Sequence, residues 1–143
     1  MVMQKFKFYS QFFLIGIWFL IASSIGLFIV AFRWKNPSVD AFFAHLLSRP
    51  SLWILGLRVQ VENFARLYQN QPCVYVANHQ SNLDILTYGC LFPKHAVTIG
   101  KKEILRIPVF GWFFVGSGNI VIDRKDRKDS LLRREPRGRG SLA

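Results

Sequence analysis

Apolar residues run without a single charge from Gln11 to Phe32, QFFLIGIWFLIASSIGLFIVAF, over 22 positions. At about 1.5 Å per residue that length crosses a hydrocarbon core of about 30 Å, so the pattern predicts a membrane-embedded helix. Lys5 and Lys7 stand in front of it, as they would in a signal peptide. The apolar stretch is longer than a signal core of about 7–15 residues, and Arg33, Trp34 and Lys35 follow it where small cleavage-site residues would stand. A retained helix is the expectation, with a helix lying in one leaflet and returning to the side it left as the alternative. Basic residues flank both ends and do not orient it; the basic residues further on place the C-terminal part on the cytoplasmic side.

Pro37 and Ser38 open a second segment, SVDAFFAHLLSR, with Val39, Phe42, Phe43, Leu46 and Leu47 on one helical face and Asp40 on the other. Pro50 is expected to close it, since proline lacks the donor that an interior turn needs. From Leu57 the period changes from helical to alternating. LRVQVEN sets Val59 and Val61 against Arg58, Gln60 and Glu62, the signature of a strand with one wetter face. CVYVA reads as a short buried strand, LDILTYGCLF as a helix before Pro93, AVTIG as a strand, KKEILRI as a short helix stopped by Pro108, and NIVIDR as a third buried strand. Strands alternating with helices indicate an α/β fold with a parallel or mixed sheet. No internal repeat interrupts this order. The expected division is a membrane-embedded or amphipathic helical region over 1–56, an α/β domain over 57–132, and a disordered basic tail over 133–143, where Arg, Gly and Pro replace the apolar periodicity.

Composition sharpens the membrane reading. Hydrophobic residues make up 51% of the chain and aromatics 15%, with 14 Phe and 4 Trp, more than a soluble domain of 143 residues needs. The net charge of +11 is uneven: eight of the 19 basic residues lie between Arg124 and Arg139. Beside a membrane anchor, such a surplus points to anionic lipid headgroups or a phosphate-bearing substrate, and no nucleic acid is expected. Cys73 and Cys90 have neither CxxC spacing nor a nearby histidine pair, so no metal site or disulfide framework is indicated, and two free thiols suit a reducing compartment. His45, alone among apolar neighbours, reads as a packing residue.

The polar cluster NHQSN falls between the strand CVYVA and the helix LDILTYG, at the C-terminal end of a strand, where α/β proteins carry binding and catalytic groups. Helix capping accounts for part of it: Ser81 accepting from the Asp84 N–H, and Asp84 near the positive end of the helix dipole. Capping explains Ser81 and Asp84 as well as catalysis does, but gives His79 no work. A carboxylate meeting His79 would fix its tautomer and leave the other ring nitrogen free to take a proton from a hydroxyl.

The stretch NHQSNLD resembles the NHxSxxD form of the HxxxxD motif of the glycerolipid acyltransferases, and GKKEILRIPVFGWFFVGSGNIVIDR is similar to that family's second conserved region, in the same order. The resemblance covers about Leu57 to Arg127. It implies a membrane-associated enzyme of phospholipid synthesis that transfers an acyl group from a thioester, acyl-CoA or acyl carrier protein, to the sn-2 hydroxyl of lysophosphatidic acid. His79 would be the general base, oriented by Asp84; Arg124 would contact the acceptor's phosphate, with Lys101 assisting. No metal and no cofactor would be needed. Arg124 follows a buried strand, which lets its side chain emerge at the same edge as His79. The stretch IPVFGWFFVG serves either as core or as a bilayer-surface or acyl-channel element, and DRKDRKD past Arg124 reads as a solvated helix start.

The family's third block, an EGTR-type motif, and its proline-containing fourth block have no counterpart here. The expectation is therefore a truncated or frame-disrupted acyltransferase: an N-terminal membrane helix or helix pair followed by an incomplete mixed or parallel sheet with flanking helices. The rival readings are transfer to another lysophospholipid or to glycerol 3-phosphate, and a non-catalytic membrane protein that binds anionic lipid.

Overall fold

In a computed structural model, which describes residues 2–69 and 71–123, helix α1 runs from Val2 to Phe32 and α2 from Pro37 to Leu55. A 3₁₀ turn follows at Phe64–Tyr68, then α3 at Asp84–Gly89, strand β1 at Ile99–Lys101, a 3₁₀ turn at Lys102–Arg106, α4 at Phe110–Gly116 and β2 at Ile120–Ile122. The two strands pair in parallel, Ile99 with Ile120 and Lys101 with Ile122, and the 3₁₀ turn and α4 form the crossover between them. The architecture is thus a helical N-terminal region followed by a small open α/β unit. The basic tail, with the expected disorder from Arg133, lies outside the described residues.

Helix α1 is the one described helix long and apolar enough to cross a membrane. It shows two sides. Ala22, Ser23 and Val30 are fully buried against the rest of the chain, while Phe6, Phe13, Phe28 and Phe32 are each at least two-thirds exposed. So much bare aromatic surface would be costly in water and is favourable against lipid. The inward side takes α2 and α4. Gly26 is the point of closest approach, where a Cβ would stand 2.7 Å from the Phe113 ring. Phe113 is itself fully buried and lies 4.3 Å, ring centre to ring centre, from Phe43 of α2. Phe110 adds contacts to Phe19 and Phe43, so α4 closes the angle between the two long helices with aromatic rings. The stretch IPVFGWFFVG is therefore core on its Phe110 and Phe113 side, although Trp112 stands 73% exposed on the other.

Helix α2 begins as its sequence directs: the Asn36 side chain accepts from the Ser38 N–H at 3.0 Å, with Pro37 in the first turn. It does not stop at Pro50. The helix continues to Leu55 and ends at Gly56, whose φ of 69° lets the Leu57 N–H reach back to the Leu52 carbonyl at 2.9 Å. Pro50 deprives the Leu46 carbonyl of its usual i+4 donor, and the Trp18 indole N–H takes that place at 3.0 Å. Eight residues beyond Leu46, the Gln11 side-chain amide donates to the Ile54 carbonyl at 2.7 Å.

Asp40 differs from its expected placement on a polar face. It is 6% exposed, and its carboxylate accepts from the Asn119 amide at 2.9 Å and the Thr98 hydroxyl at 3.3 Å. Asn119 in turn accepts from the Thr98 N–H at 2.6 Å. This cluster ties the first turn of α2 to the starts of both strands. Burial pushes the Asp40 carboxyl above the usual carboxylate range, and the hydrogen bonds from Asn119, Thr98 and Ser117 pull it part of the way back.

Two stretches expected as strands are irregular. LRVQVEN and CVYVA form no ladder with any described residue, and Val74 and Val76 are more than four-fifths exposed. Alternation in a sequence says which side chains share a side; a strand also needs a partner to take its backbone hydrogen bonds. LDILTYGCLF is helical only to Gly89, which packs so close to Ser48 of α2 that no side chain would fit between them.

Candidate active site

The segment NHQSNLD forms the turn that feeds α3, and Asp84, the first residue of that helix, organises it. One carboxylate oxygen, Oδ2, accepts from the Gln80 N–H at 2.6 Å and the Ser81 N–H at 2.7 Å. The same oxygen stands 3.3 Å from His79 Nδ1. With Nδ1–H donated to Asp84, the tautomer that completes this network leaves Nε2 as the basic nitrogen. The His79 side chain is 56% exposed, and among the described residues nothing hydrogen-bonds Nε2. An open basic nitrogen backed by a carboxylate can accept a proton from a hydroxyl that approaches from solvent.

The backbone amides of Ser81 and Gln80, more than His79, hold the Asp84 carboxyl below the usual carboxylate range. The charge that orients the ring is therefore secured by main-chain donors and does not depend on the ring being protonated.

Ser81 caps differently from expectation. Its hydroxyl accepts from the Leu83 N–H at 3.2 Å, while the Asp84 N–H goes to the Ser81 backbone carbonyl at 3.1 Å. The segment turns more tightly than a standard N-cap, so the hydroxyl meets an amide one residue earlier. It is occupied within the turn and is not presented as a nucleophile. Further along α3, the Thr87 hydroxyl donates to the Asp84 carbonyl at 2.9 Å and the Tyr88 hydroxyl donates to the Asn78 carbonyl. The Tyr88 contact joins residues ten apart, and no spacing rule in the sequence announces it.

Lys101 is not drawn into this cluster. Lys101 is exposed at the end of β1, paired through its backbone register with Ile122. Its neighbour Lys102 forms an ion pair with Asp123 at 3.1 Å, joining the ends of the two strands. Arg124 lies outside the described residues. No group of three or more His, Cys, Asp or Glu side chains able to hold a metal ion occurs among the described residues.

A family model described as Acyltransferase matches residues 58–136, a span that contains His79, Asp84, Lys101 and Arg124. The chain is similar to the 1-acyl-sn-glycerol-3-phosphate acyltransferase of Salmonella typhimurium strain LT2, 33% identical over 111 residues, which are 78% of this chain and 45% of that protein. The protein of the same name from Escherichia coli K12 is 32% identical over 111 residues, with the same coverage of each chain. That of Haemophilus influenzae is 32% identical over 116 residues, 80% of this chain and 48% of the relative. The chain spans about half the length of these relatives. No solved structure matches it.

Proposed function

The chain belongs to the Acyltransferase family, and from that premise we propose that it transfers an acyl group from a thioester to the sn-2 hydroxyl of lysophosphatidic acid, giving phosphatidic acid. His79 Nε2 takes the hydroxyl proton as the oxygen attacks the thioester carbonyl. The tetrahedral adduct then collapses, the carbon–sulfur bond breaks, and the proton held by His79 passes to the departing thiolate of coenzyme A or of acyl carrier protein. Asp84 keeps Nδ1–H engaged throughout, so that the imidazolium formed in the first step is stabilised where it forms. Neither a covalent acyl-enzyme nor a cofactor takes part.

Arg124, with its fixed charge and forked donors, is assigned to the acceptor's phosphate, and Lys101 to the same end of the substrate. The bare aromatic side of α1 supports placement in a membrane, the compartment that holds the lipid acceptor, and the basic residues of the C-terminal part support an active site on the cytoplasmic side.

The observation that supports this reading most is the His79–Asp84 pair, 3.3 Å apart with Asp84 held by two main-chain amides. Membranes carrying the chain, supplied with lysophosphatidic acid and labelled acyl-CoA, should form labelled phosphatidic acid, and His79→Ala should abolish the product. Acyl transfer that continues unchanged in His79→Ala would remove His79 from the mechanism.

A further inference from the structure

Helix α3 reaches back to the catalytic turn at two levels. Asp84 holds the amides of Gln80 and Ser81, after His79. Four residues along, one helical turn later and on the same side of α3, Tyr88 donates its hydroxyl to the Asn78 carbonyl, before His79. His79 thus sits between two clamps borne by one helix.

The Tyr88 contact bears on His79 through covalent geometry. The Asn78 carbonyl and the His79 N–H belong to one planar peptide unit. Fixing the direction of that carbonyl fixes the plane that enters His79 Cα, and with the Gln80 amide held on the other side, both peptide planes around His79 are set. The remaining freedom of the imidazole is rotation about its own side-chain bonds, which Asp84 limits at Nδ1. Without the Tyr88 hydroxyl, the Asn78–His79 peptide can tilt, and the ring moves with it relative to a hydroxyl arriving at Nε2.

We propose that Tyr88 is a positioning residue for His79, acting through the Asn78–His79 peptide plane. Tyr88 touches no reacting atom in this assignment. Tyr88 is 40% exposed, so the hydrogen bond forms in competition with water and its net worth is that of an ordinary one. Its removal should therefore lower kcat by about three- to tenfold, while KM for lysophosphatidic acid and for acyl-CoA stays within about twofold, because the ring reaches its working orientation less often and binding groups are untouched. The kinetic part rests on the acyl-transfer reading given above; the geometric part does not.

The test uses the full chain in lipid nanodiscs, labelled with [¹⁵N]histidine. The three histidines give three ring signals, and His79→Ala assigns the one of interest. In wild type, the Asp84-held ring should show one protonated and one unprotonated nitrogen at pH 8. Tyr88→Phe, which removes a single oxygen, should draw the two His79 nitrogen shifts towards a common average and leave the signals of His45 and His95 in place. Tyr88→Leu, which also removes the ring, should show the same shift change, marking the hydroxyl and not the packing as the cause.

Steady-state kinetics on the same samples separate the two claims. A changed His79 signal with kcat lowered and KM retained supports the positioning role. A changed signal in a wild-type protein that makes no phosphatidic acid supports the positioning role and overturns the acyl-transfer reading. An unchanged His79 signal in Tyr88→Phe overturns the proposal whatever the kinetics show, and so do shifts spread over all three histidines, the mark of a general loss of structure.

Discussion

The Trp18 indole nitrogen lies 3.0 Å from the Leu46 carbonyl, the acceptor that Pro50 leaves without its helical donor. The contact explains how a proline sits inside α2 without ending it, and it fastens α2 to α1 at mid-length. Trp18→Phe should leave that carbonyl without a donor in a half-buried position, at a cost of about 1–3 kcal/mol, read as a lower melting temperature in nanodiscs. Pro50→Ala restores an i+4 amide for the same carbonyl. In the double-mutant cycle Pro50→Ala should therefore stabilise the Trp18→Phe background more than the wild type. Strict additivity would mean that the indole contributes only packing.

Asp84→Asn keeps the size of the side chain and an oxygen for the Gln80 and Ser81 amides, yet removes the charge that faces His79. In the proposed transfer the His79 imidazolium would lose its counter-charge, and kcat should fall by about 10²-fold or more, with KM nearly unchanged. The pH sign is also fixed. Because main-chain amides hold the Asp84 carboxyl below the usual range, its contribution is fully present above the ordinary carboxylate value and is lost only as pH falls through the lower folded one. Asp84 should accordingly stay ionised from pH 7 down to pH 5, read as a constant ¹³C shift of its carboxylate across that window. A carboxylate shift that moved there would show that Asp84 itself titrates in the window.

His79 and Asp84 were legible because the whole relation is local. Five residues at a turn into a helix bring the side chains together without help from the rest of the chain, and capping left the histidine unexplained. The long apolar helix α1 and the strands β1 and β2 were legible for a similar reason, since uncharged length and period need no partner to be recognised, whereas the helix expected on KKEILRI is a 3₁₀ turn and the helix of the crossover lies past Pro108, at Phe110–Gly116. What escaped depends on distant groups. Pro50 reads as a stop until Trp18, 28 positions before the Leu46 carbonyl, supplies that carbonyl with a donor; Asp40 reads as a surface charge until the Asn119 amide, 79 positions away, donates to it in the interior. LRVQVEN and CVYVA carry strand-like alternation, yet alternation alone supplies no neighbouring backbone.

Asp40 should make stability fall as pH rises through the mildly acidic range. Its folded carboxyl titrates above the ordinary value, so between the unfolded and folded values the native state binds more protons than the unfolded chain, and unfolding free energy decreases with pH. Above the folded value the loss is complete and the curve is flat. Asp40→Asn keeps an acceptor for Asn119 without the buried charge, so its melting temperature should be level across that window and equal to or above wild type at pH 7. Asp40→Ala should be less stable at every pH, because the Asn119 amide loses one of its two acceptors and the Thr98 hydroxyl loses its own. A parallel pH dependence in wild type and Asp40→Asn would assign the slope to another group.

Val109 precedes α4 with φ of 63° and ψ of −51°, and the Phe110 N–H bonds to the Pro108 carbonyl at 2.6 Å, a three-residue turn of the rare positive-φ kind. A β-branched side chain in this region strains the backbone by about 1–3 kcal/mol. The turn is held because Gly111 lies against the Leu105 backbone, where a Cβ would stand 2.6 Å from the carbonyl oxygen, and because Phe110 and Phe113 are committed to the core. Val109→Gly relieves the strain at the cost of about 0.5–1 kcal/mol of added chain entropy, and should raise the melting temperature by a few degrees. Val109→Pro, whose ring fixes φ near −65°, should instead prevent the turn and unseat α4 from α1. If Val109→Gly is destabilising and Val109→Pro is tolerated, the positive-φ turn is not the conformation in solution.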